Sequence, residues 1–135
     1  MKSVHVSNNF TNLSRKRYEK NYRNLFYERQ RIMSFLKANF YMESEADEII
    51  NFIMNKEMME IIENIPKKVN FYFNKANLNL SLESKYENEK WIVVTLFTTV
   101  EGYLASERLD ELEEFFISHY HDKFLDNLLF SVEFE

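Results

Sequence analysis

The apolar residues in the first third of the chain recur with the 3.6-residue period of an α-helix. Residues 10–41 contain neither glycine nor proline, so nothing in this stretch is expected to interrupt a helix. The pattern predicts one long amphipathic helix from Phe10 to Tyr41. Its apolar stripe consists of Tyr18, Tyr22, Leu25, Phe26, Ile32, Met33, Leu36 and Phe40.

One cation lies within this stripe. The near-heptad spacing of Tyr22, Leu25 and Ile32 would assign an apolar residue to the position that Arg29 occupies. A cation there either specifies the register of a helix pair between two subunits or extends to the edge of a packing surface within one chain. The second interpretation is preferred.

A second helical segment is expected to begin at Ser44. Ser44 followed by Asp47 matches a capping pattern, and further acids occupy the first turn, where the helix dipole stabilises negative charge. The apolar positions between residues 49 and 65 rotate around the helical wheel near Asn55 and Lys56. This drift predicts a break or kink, so that two short helices replace one.

The chain around the only proline is ambiguous. Pro66 is expected to end the second helical segment, although proline is also tolerated in the first turn of a new helix. Val69 and Phe73 have the spacing of a helix, but Val69, Phe71 and Phe73 also alternate as in a strand. The sequence leaves both structures open for residues 66–75.

The second half of the chain begins with an apolar period of two. Leu78, Leu80 and Leu82 alternate with polar residues, which predicts a strand with one face in solvent. A turn is expected at Asn88-Glu89. Residues 91–100 are rich in β-branched and aromatic side chains on both faces, so this second strand is expected to be the most buried.

The last third of the chain predicts a helix followed by a strand. Ser106 is expected to cap the helix. The closing residues 130–135 alternate again, and Phe130, Val132 and Phe134 are expected to point inward. The apolar face of the helix consists of Leu109, Leu112, Phe116, His119 and Tyr120.

Together these elements predict an α+β fold. A helical N-terminal half packs on a small three-stranded mixed sheet, and the second half runs strand, strand, helix, strand with one crossover helix. A right-handed crossover makes the last strand parallel to the second strand, either beside it or on the far side of the first. At 135 residues the chain is expected to form a single domain over 1–135, mainly helical over 10–75 and mixed over 77–135.

Composition excludes most familiar enzyme motifs. The chain contains one glycine and no cysteine. Phosphate-binding loops, dinucleotide-binding loops and nucleophile elbows need several glycines at fixed spacing, and none of these motifs occurs. Without cysteine there is no thiol nucleophile, disulfide framework or cysteine-ligated zinc site.

The only histidine cluster does not predict a metal site. His119 and His121 are two residues apart, so their rings point to different sides of a helix. We expect His119 to be a hydrogen-bonded core residue and His121 to be exposed near the helix end. The sequence thus predicts no enzymatic activity, no metal, no cofactor and no small-molecule substrate.

No segment of the sequence predicts passage through or insertion into a membrane. The amino-terminal residues lack the apolar core of a secretory signal, and no stretch approaches the roughly 18 apolar residues that span a bilayer. We therefore expect a cytoplasmic protein with no transmembrane segment.

Charge is distributed unevenly along the chain. Residues 1–37 contain nine basic and two acidic residues, a net charge of +7, whereas residues 38–135 contain eight basic and twenty acidic residues, a net charge of −12. Five of the six arginines lie between Arg15 and Arg31. Arginine has a planar fork of donors that suits phosphate or carboxylate.

The cations of the first helix form a candidate nucleic-acid site. Cations release counterions from phosphates, and an aromatic ring among them can stack on unpaired bases. The alternative is that this helix is neutralised by the acidic part of its own domain or of a second copy. The candidate residues are Arg15, Arg17, Lys20, Arg23, Tyr27 and Arg31.

An acidic face on the last helix is the other candidate site. Such a face can dock a basic protein, as inhibitors and immunity proteins do, although a solvated face that maintains solubility is the simpler interpretation. The preferred function is a non-enzymatic protein-interaction module, an inhibitor or antitoxin-like partner that binds a protein or self-associates as a homodimer; nucleic-acid binding is the alternative. The candidate residues are Glu107, Asp110, Glu111 and Glu114.

Overall fold

The structure is a computed structural model that describes residues 23–42 and 45–135. The chain divides into two compact units, residues 1–32 and residues 33–135, and all the described strands lie in the second. The α+β fold is confirmed. The described elements are α1 (residues 23–39), α2 (Ala46–Asn55), α3 (Met59–Phe73), β1 (Asn77–Tyr86), β2 (Glu89–Thr98), α4 (Gly102–Tyr120), α5 (Asp122–Asn127) and β3 (Leu128–Phe134).

The first predicted helix is present over the part of it that is described. Helix α1 ends at residue 39, and Leu36 and Phe40 are buried as predicted. Leu25 and Phe26 were expected on the buried stripe but are more than half exposed. Among the described residues of this helix, Ile32 is the first that is buried. Tyr18 and Tyr22 lie outside the described residues.

The predicted break after Asn55 is confirmed. Helix α2 ends there, α3 begins at Met59, and Glu57 between them has a left-handed φ of 54°. The start of α2 differs from the prediction. Its N-cap is Glu45, which is left-handed and makes no side-chain capping hydrogen bond; Ser44, the expected cap, lies outside the described residues.

Helix α3 continues through Pro66, so the prediction that this proline ends the segment is wrong, and the stretch that follows is helical up to Phe73. Proline has no N–H to donate to the carbonyl of Ile62. The helix persists because its buried stripe is continuous across the proline: Ile65 and Val69 are both buried. Burial of such side chains stabilises by about 1.5–3 kcal/mol each, so the two together offset the roughly 3 kcal/mol that a proline costs in a helix interior.

The sheet has the order β1-β2-β3. Strand β2 pairs antiparallel with β1 and parallel with β3, so the last strand lies beside the second, one of the two predicted arrangements. Strand β2 is buried along one whole face, from Ile92 to Thr98, and Val93 is buried on the other. It is the most buried strand, as predicted. The turn before it is one residue earlier than expected, at Glu87-Asn88.

The crossover to β3 consists of two helices rather than one. Helix α4 begins at Gly102 after an extended N-cap at Glu101, so the predicted cap, Ser106, lies inside the helix. His121 has a φ of 50°, which ends α4 and starts the short helix α5. The positive φ of a histidine cannot be deduced from apolar spacing.

An aromatic cluster joins these helices to the sheet. The ring of Phe116 on α4 lies 5.5 Å from both Phe124 on α5 and Phe130 on β3. Each such pair contributes about 0.5–1.5 kcal/mol beyond the area it buries. The buried face of β3 is shorter than predicted. Phe134 was expected to point inward, but its side chain is 60% exposed. The alternation of apolar residues continues beyond the part of the sheet that other residues cover.

Candidate functional site

The four carboxylates predicted on the last helix all lie on the solvent side of α4. Each is exposed, whereas Leu112 and Phe116 on the opposite side are fully buried. The helical period explains the separation, since residues three and four apart share a side. The four are Glu107, Asp110, Glu111 and Glu114.

These carboxylates are not neutralised within the part of the chain that the structure describes. None of the four forms an ion pair with a described cation. Arg108 is the only cation on this helix segment, and it donates instead to the carbonyl oxygen of Tyr72 in the last turn of α3, at 2.6 Å. The negative end of a helix dipole favours that placement.

Two exposed apolar residues complete the same stripe and were missed in the sequence. Tyr103 is 81% exposed at one end, and Ile117 is 37% exposed at the other. The alternating steps of four and three from Tyr103 through Glu107 to Ile117 were visible in the sequence and would have identified both. We call Tyr103, Glu107, Asp110, Glu111, Glu114 and Ile117 the α4 outer face.

A cation–π stack borders this face on the side of α3. The ammonium of Lys68 lies 4.2 Å from the ring centroid of Phe115 and 5.9 Å from that of Phe71, which is 75% exposed. Phe115 stacks in turn on His119. We call Lys68, Phe71, Phe115 and His119 the aromatic border. It combines two helices, so no local spacing in the sequence indicates it.

The prediction that His119 is a core residue is wrong. The ring is exposed and lies over Phe115, and its Nδ1 donates to the Phe115 carbonyl oxygen at 2.8 Å. The imidazole packs on the half-buried Phe115 instead of entering the core. His121 is exposed, as predicted.

Glu113 lies on the flank of α4 between the buried and exposed sides. Burial raises the pKa of its carboxyl above the ordinary value, and the nearby charge of Asp110 raises it further. Both effects disfavour the ionised form. The ionised carboxylate of Glu113 therefore destabilises the folded state.

The candidate basic face is described only in part. Arg23, Tyr27 and Arg31 lie four residues apart on α1, and all three are exposed. Arg31 reaches Glu28, with 3.4 Å between Nη2 and Oε1. The remaining predicted members, Arg15, Arg17 and Lys20, lie outside the described residues.

The part of the chain that the structure describes, residues 23–42 and 45–135, contains neither a candidate metal centre nor a candidate membrane span. No group of three or more histidine, aspartate or glutamate side chains is arranged to hold a metal ion there. No described helix is both long enough and apolar enough to cross a membrane.

Comparison with known proteins identifies no relative of this chain. No protein-family model matches the chain, and neither a curated protein nor a solved structure is significantly similar to it.

Proposed function

We propose that this protein is a non-enzymatic interaction module, an inhibitor or antitoxin-like partner that docks a basic protein on the α4 outer face. The observation that supports the proposal is a row of four exposed carboxylates with no cationic partner among the described residues. A positively charged surface would supply the missing counter-charge and accelerate association.

The carboxylate row does not serve the helix itself. Glu107 and Glu111 are four residues apart, as are Asp110 and Glu114. Like charges at this spacing destabilise a helix by about 0.2–0.5 kcal/mol per pair. A cationic partner would offset this repulsion, which favours binding of a positively charged surface at this row.

The ends of the row supply apolar contact area. Tyr103 and Ile117 are exposed on either side of the carboxylates. Exposed aromatic residues are frequent among the few side chains that dominate binding energy. The expected partner therefore presents lysine or arginine opposite Glu111 and an apolar recess for Tyr103.

Photo-crosslinking in cells that express the protein tests the proposal. A photoreactive amino acid replaces Tyr103 in one variant and Phe134, an exposed aromatic on β3, in a matched control. We expect a specific adduct at position 103 alone, mapped beside lysine or arginine of the partner. It should disappear in the background Glu107→Gln, Glu111→Gln, Glu114→Gln. Equal adducts at both positions, or an adduct that persists in that background, would contradict the proposal.

The same experiment separates a foreign partner from self-association. An adduct of twice the chain mass, together with a dimer in light scattering, would identify a second copy as the occupant. We propose the cytoplasm as the place of the interaction, which fractionation of the cells checks.

Nucleic-acid binding through α1 is the second candidate function. The observation that favours it is the line of exposed Arg23, Tyr27 and Arg31, an aromatic residue midway between two arginines along one helix. Fluorescence anisotropy with random oligonucleotides at low and moderate salt is expected to show binding that weakens steeply with salt. Arg23→Glu with Arg31→Glu should abolish it, while Lys67→Glu with Lys75→Glu should not. No binding at low salt would eliminate this candidate.

A further inference from the structure

A cleft of about 590 Å³ opens between the end of α2, the β1–β2 turn and the end of α5. Lys56, Lys85 and Lys90 line it, which is three of the eight basic residues after position 37. Glu89 and Asp126 also line it. The charged lining side chains therefore carry a net charge of +1 in a part of the chain whose net charge is strongly negative.

Lys85 is held in place at the cleft by its surroundings. The register of β1 against β2 shifts between Ser84 and Tyr86, and such a bulge redirects the extra side chain. The Lys85 ammonium donates to the carbonyl oxygen of Asp126 at 3.2 Å and lies 5.5 Å from the ring centroids of Tyr86 and Trp91. Its Nζ also lies 4.0 Å from Oε2 of Glu89, an ion pair longer than a hydrogen bond, so the bond to Asp126 uses only one of the three donors of the ammonium.

The other two ammonium groups differ in their ion pairs, and an anion that binds Lys90 would compete with Glu48. Lys90 lies 3.7 Å from the carboxylate of Glu48, beyond hydrogen-bond length, and both side chains are about half exposed. Lys56 is exposed and forms no ion pair with a described residue. Three lysines from two segments of the fold therefore converge on one concave surface.

An exposed ring lies beside these cations. Tyr86 lines the cleft and is 59% exposed, and Phe52 of α2 also lines it. A planar base can stack on an exposed ring, a contact that contributes about 1–3 kcal/mol per base. The volume falls within the range of about 300–1,000 Å³ that small-ligand sites occupy.

From this juxtaposition of three lysines with an exposed ring we infer that the cleft binds a nucleoside monophosphate. The phosphate lies among the ammonium groups and the base stacks on Tyr86. The carboxylates of Glu89 and Asp126 accept hydrogen bonds from sugar hydroxyls or a base amino group. The three lysines exceed the two lining carboxylates by one charge, which Glu48 beside Lys90 offsets in part, so the cleft suits one phosphate group better than a triphosphate. This site is independent of the α4 outer face.

Calorimetric titration of the full chain with AMP, adenosine and inorganic phosphate tests the inference. We expect saturable binding of AMP and weaker binding of the other two. Lys56→Gln with Lys90→Gln should weaken AMP binding about tenfold or more, because hydrogen bonds to charged groups are lost. Tyr86→Ala should weaken AMP binding about tenfold and leave phosphate binding unchanged.

The chain offers a matched control. Lys67 and Lys75 line another cleft of about 660 Å³ that has no aromatic residue in its lining. Lys67→Gln with Lys75→Gln removes the same charge and is expected to change AMP affinity by less than about twofold. Thermal unfolding of every variant confirms that the fold is retained, and AMP perturbation of the Trp91 fluorescence gives a second readout of the site.

Four results would overturn the inference. They are the absence of saturable AMP binding at millimolar concentration, equal weakening by the two lysine pairs, equal affinity for AMP and inorganic phosphate, and tighter binding of a short oligoadenylate that lacks a terminal phosphate. The last result would assign the cleft to a nucleic acid rather than to a free mononucleotide.

Discussion

The two sides of α4 differ in burial and in charge. The inner side carries the only three buried residues of this nineteen-residue helix, Ala105, Leu112 and Phe116. The outer side is exposed, is acidic in the middle and has apolar ends at Tyr103 and Ile117. Three buried residues attach the helix to the rest of the fold, so the outer residues are free to vary without loss of the core.

Contacts on the flanks complete this attachment. Arg108 bonds to the carbonyl oxygen of Tyr72, and the side-chain amide of Asn64 donates to the hydroxyl of Tyr120. Both contacts join α4 to α3. The comparison teaches that folding energy is concentrated on one side and the flanks, while the outer side carries charge that the fold does not use.

The largest change in the free energy of unfolding is expected from a substitution on the inner side of α4. Phe116→Ala removes the ring that packs against Phe124 and Phe130, and it should lower the free energy of unfolding by about 3–5 kcal/mol. Tyr103→Ala, on the outer side of the same helix, should change it by less than about 0.5 kcal/mol. Chemical denaturation measures both. Similar losses for the two variants would remove the distinction between the sides.

A smaller loss of unfolding free energy is expected from a substitution on the flank of α4. Arg108→Met keeps the apolar stem but removes the hydrogen bond to Tyr72, which should cost about 1–2 kcal/mol of unfolding free energy. Lys67→Met, an exposed cation on α3, is the matched control and should be nearly neutral. If Arg108→Met proves neutral as well, the guanidinium is free to pair with the carboxylates of α4, and the argument for an unneutralised face fails.

The sequence predicted the parts of the fold that depend on regular spacing. The alternation at Leu78 and Leu80 and the β-branched run from Ile92 to Leu96 indicated the paired strands β1 and β2. The drift of apolar positions indicated the gap between α2 and α3. These patterns report directly which side of an element is buried.

The errors arose where tertiary contacts or backbone conformation override local rules. Pro66 signals a helix end, but burial of Ile65 and Val69 maintains α3 through it. Ser106 is a good capping residue, but α4 begins one turn earlier, where Glu101 is extended. The positive φ of His121 divides the crossover helix, and the residue type at that position does not predict it.

The candidate sites show the same limit. The carboxylates of the α4 outer face follow one another along a single helix, so sequence spacing placed them together. The aromatic border joins Lys68 on α3 to Phe115 on α4. The cleft that Lys56, Lys85 and Lys90 line is formed by residues that are distant in the chain. Spacing within one element carries no information about such pairs.

Neutralising the outer side should stabilise the fold slightly. Glu107→Gln with Glu111→Gln removes the like-charge pair that these two residues form four residues apart, and also their repulsion of Asp110 and Glu114 three residues away. The free energy of unfolding should rise by about 0.2–0.5 kcal/mol or slightly more. The gain should shrink at high salt, because exposed charges are then screened. Glu133→Gln on the exposed end of β3 controls for the loss of a carboxylate. A loss of stability in the double variant would show that these carboxylates have structural partners.

The smallest effect is expected at Glu113, and its sign depends on pH. Burial and Asp110 raise its pKa in the folded chain, so the folded state holds this proton more tightly than the unfolded state. Stability from this group is therefore present at acidic pH and is lost as pH rises from the ordinary carboxyl pKa through the raised folded one. Glu113→Gln should match the wild type at acidic pH and exceed its thermal midpoint by about 1 °C at neutral pH. A variant that is less stable at neutral pH would contradict this sign.

The central claim is that the outer side of α4 serves binding and not folding. The most direct test measures two quantities on one variant, Glu107→Gln with Glu111→Gln and Glu114→Gln. They are the yield of the photo-crosslinked adduct at position 103 and the free energy of unfolding. The account predicts that the adduct disappears while stability is unchanged or slightly higher. An adduct that persists, or a fall in stability of about 1 kcal/mol or more, would contradict it.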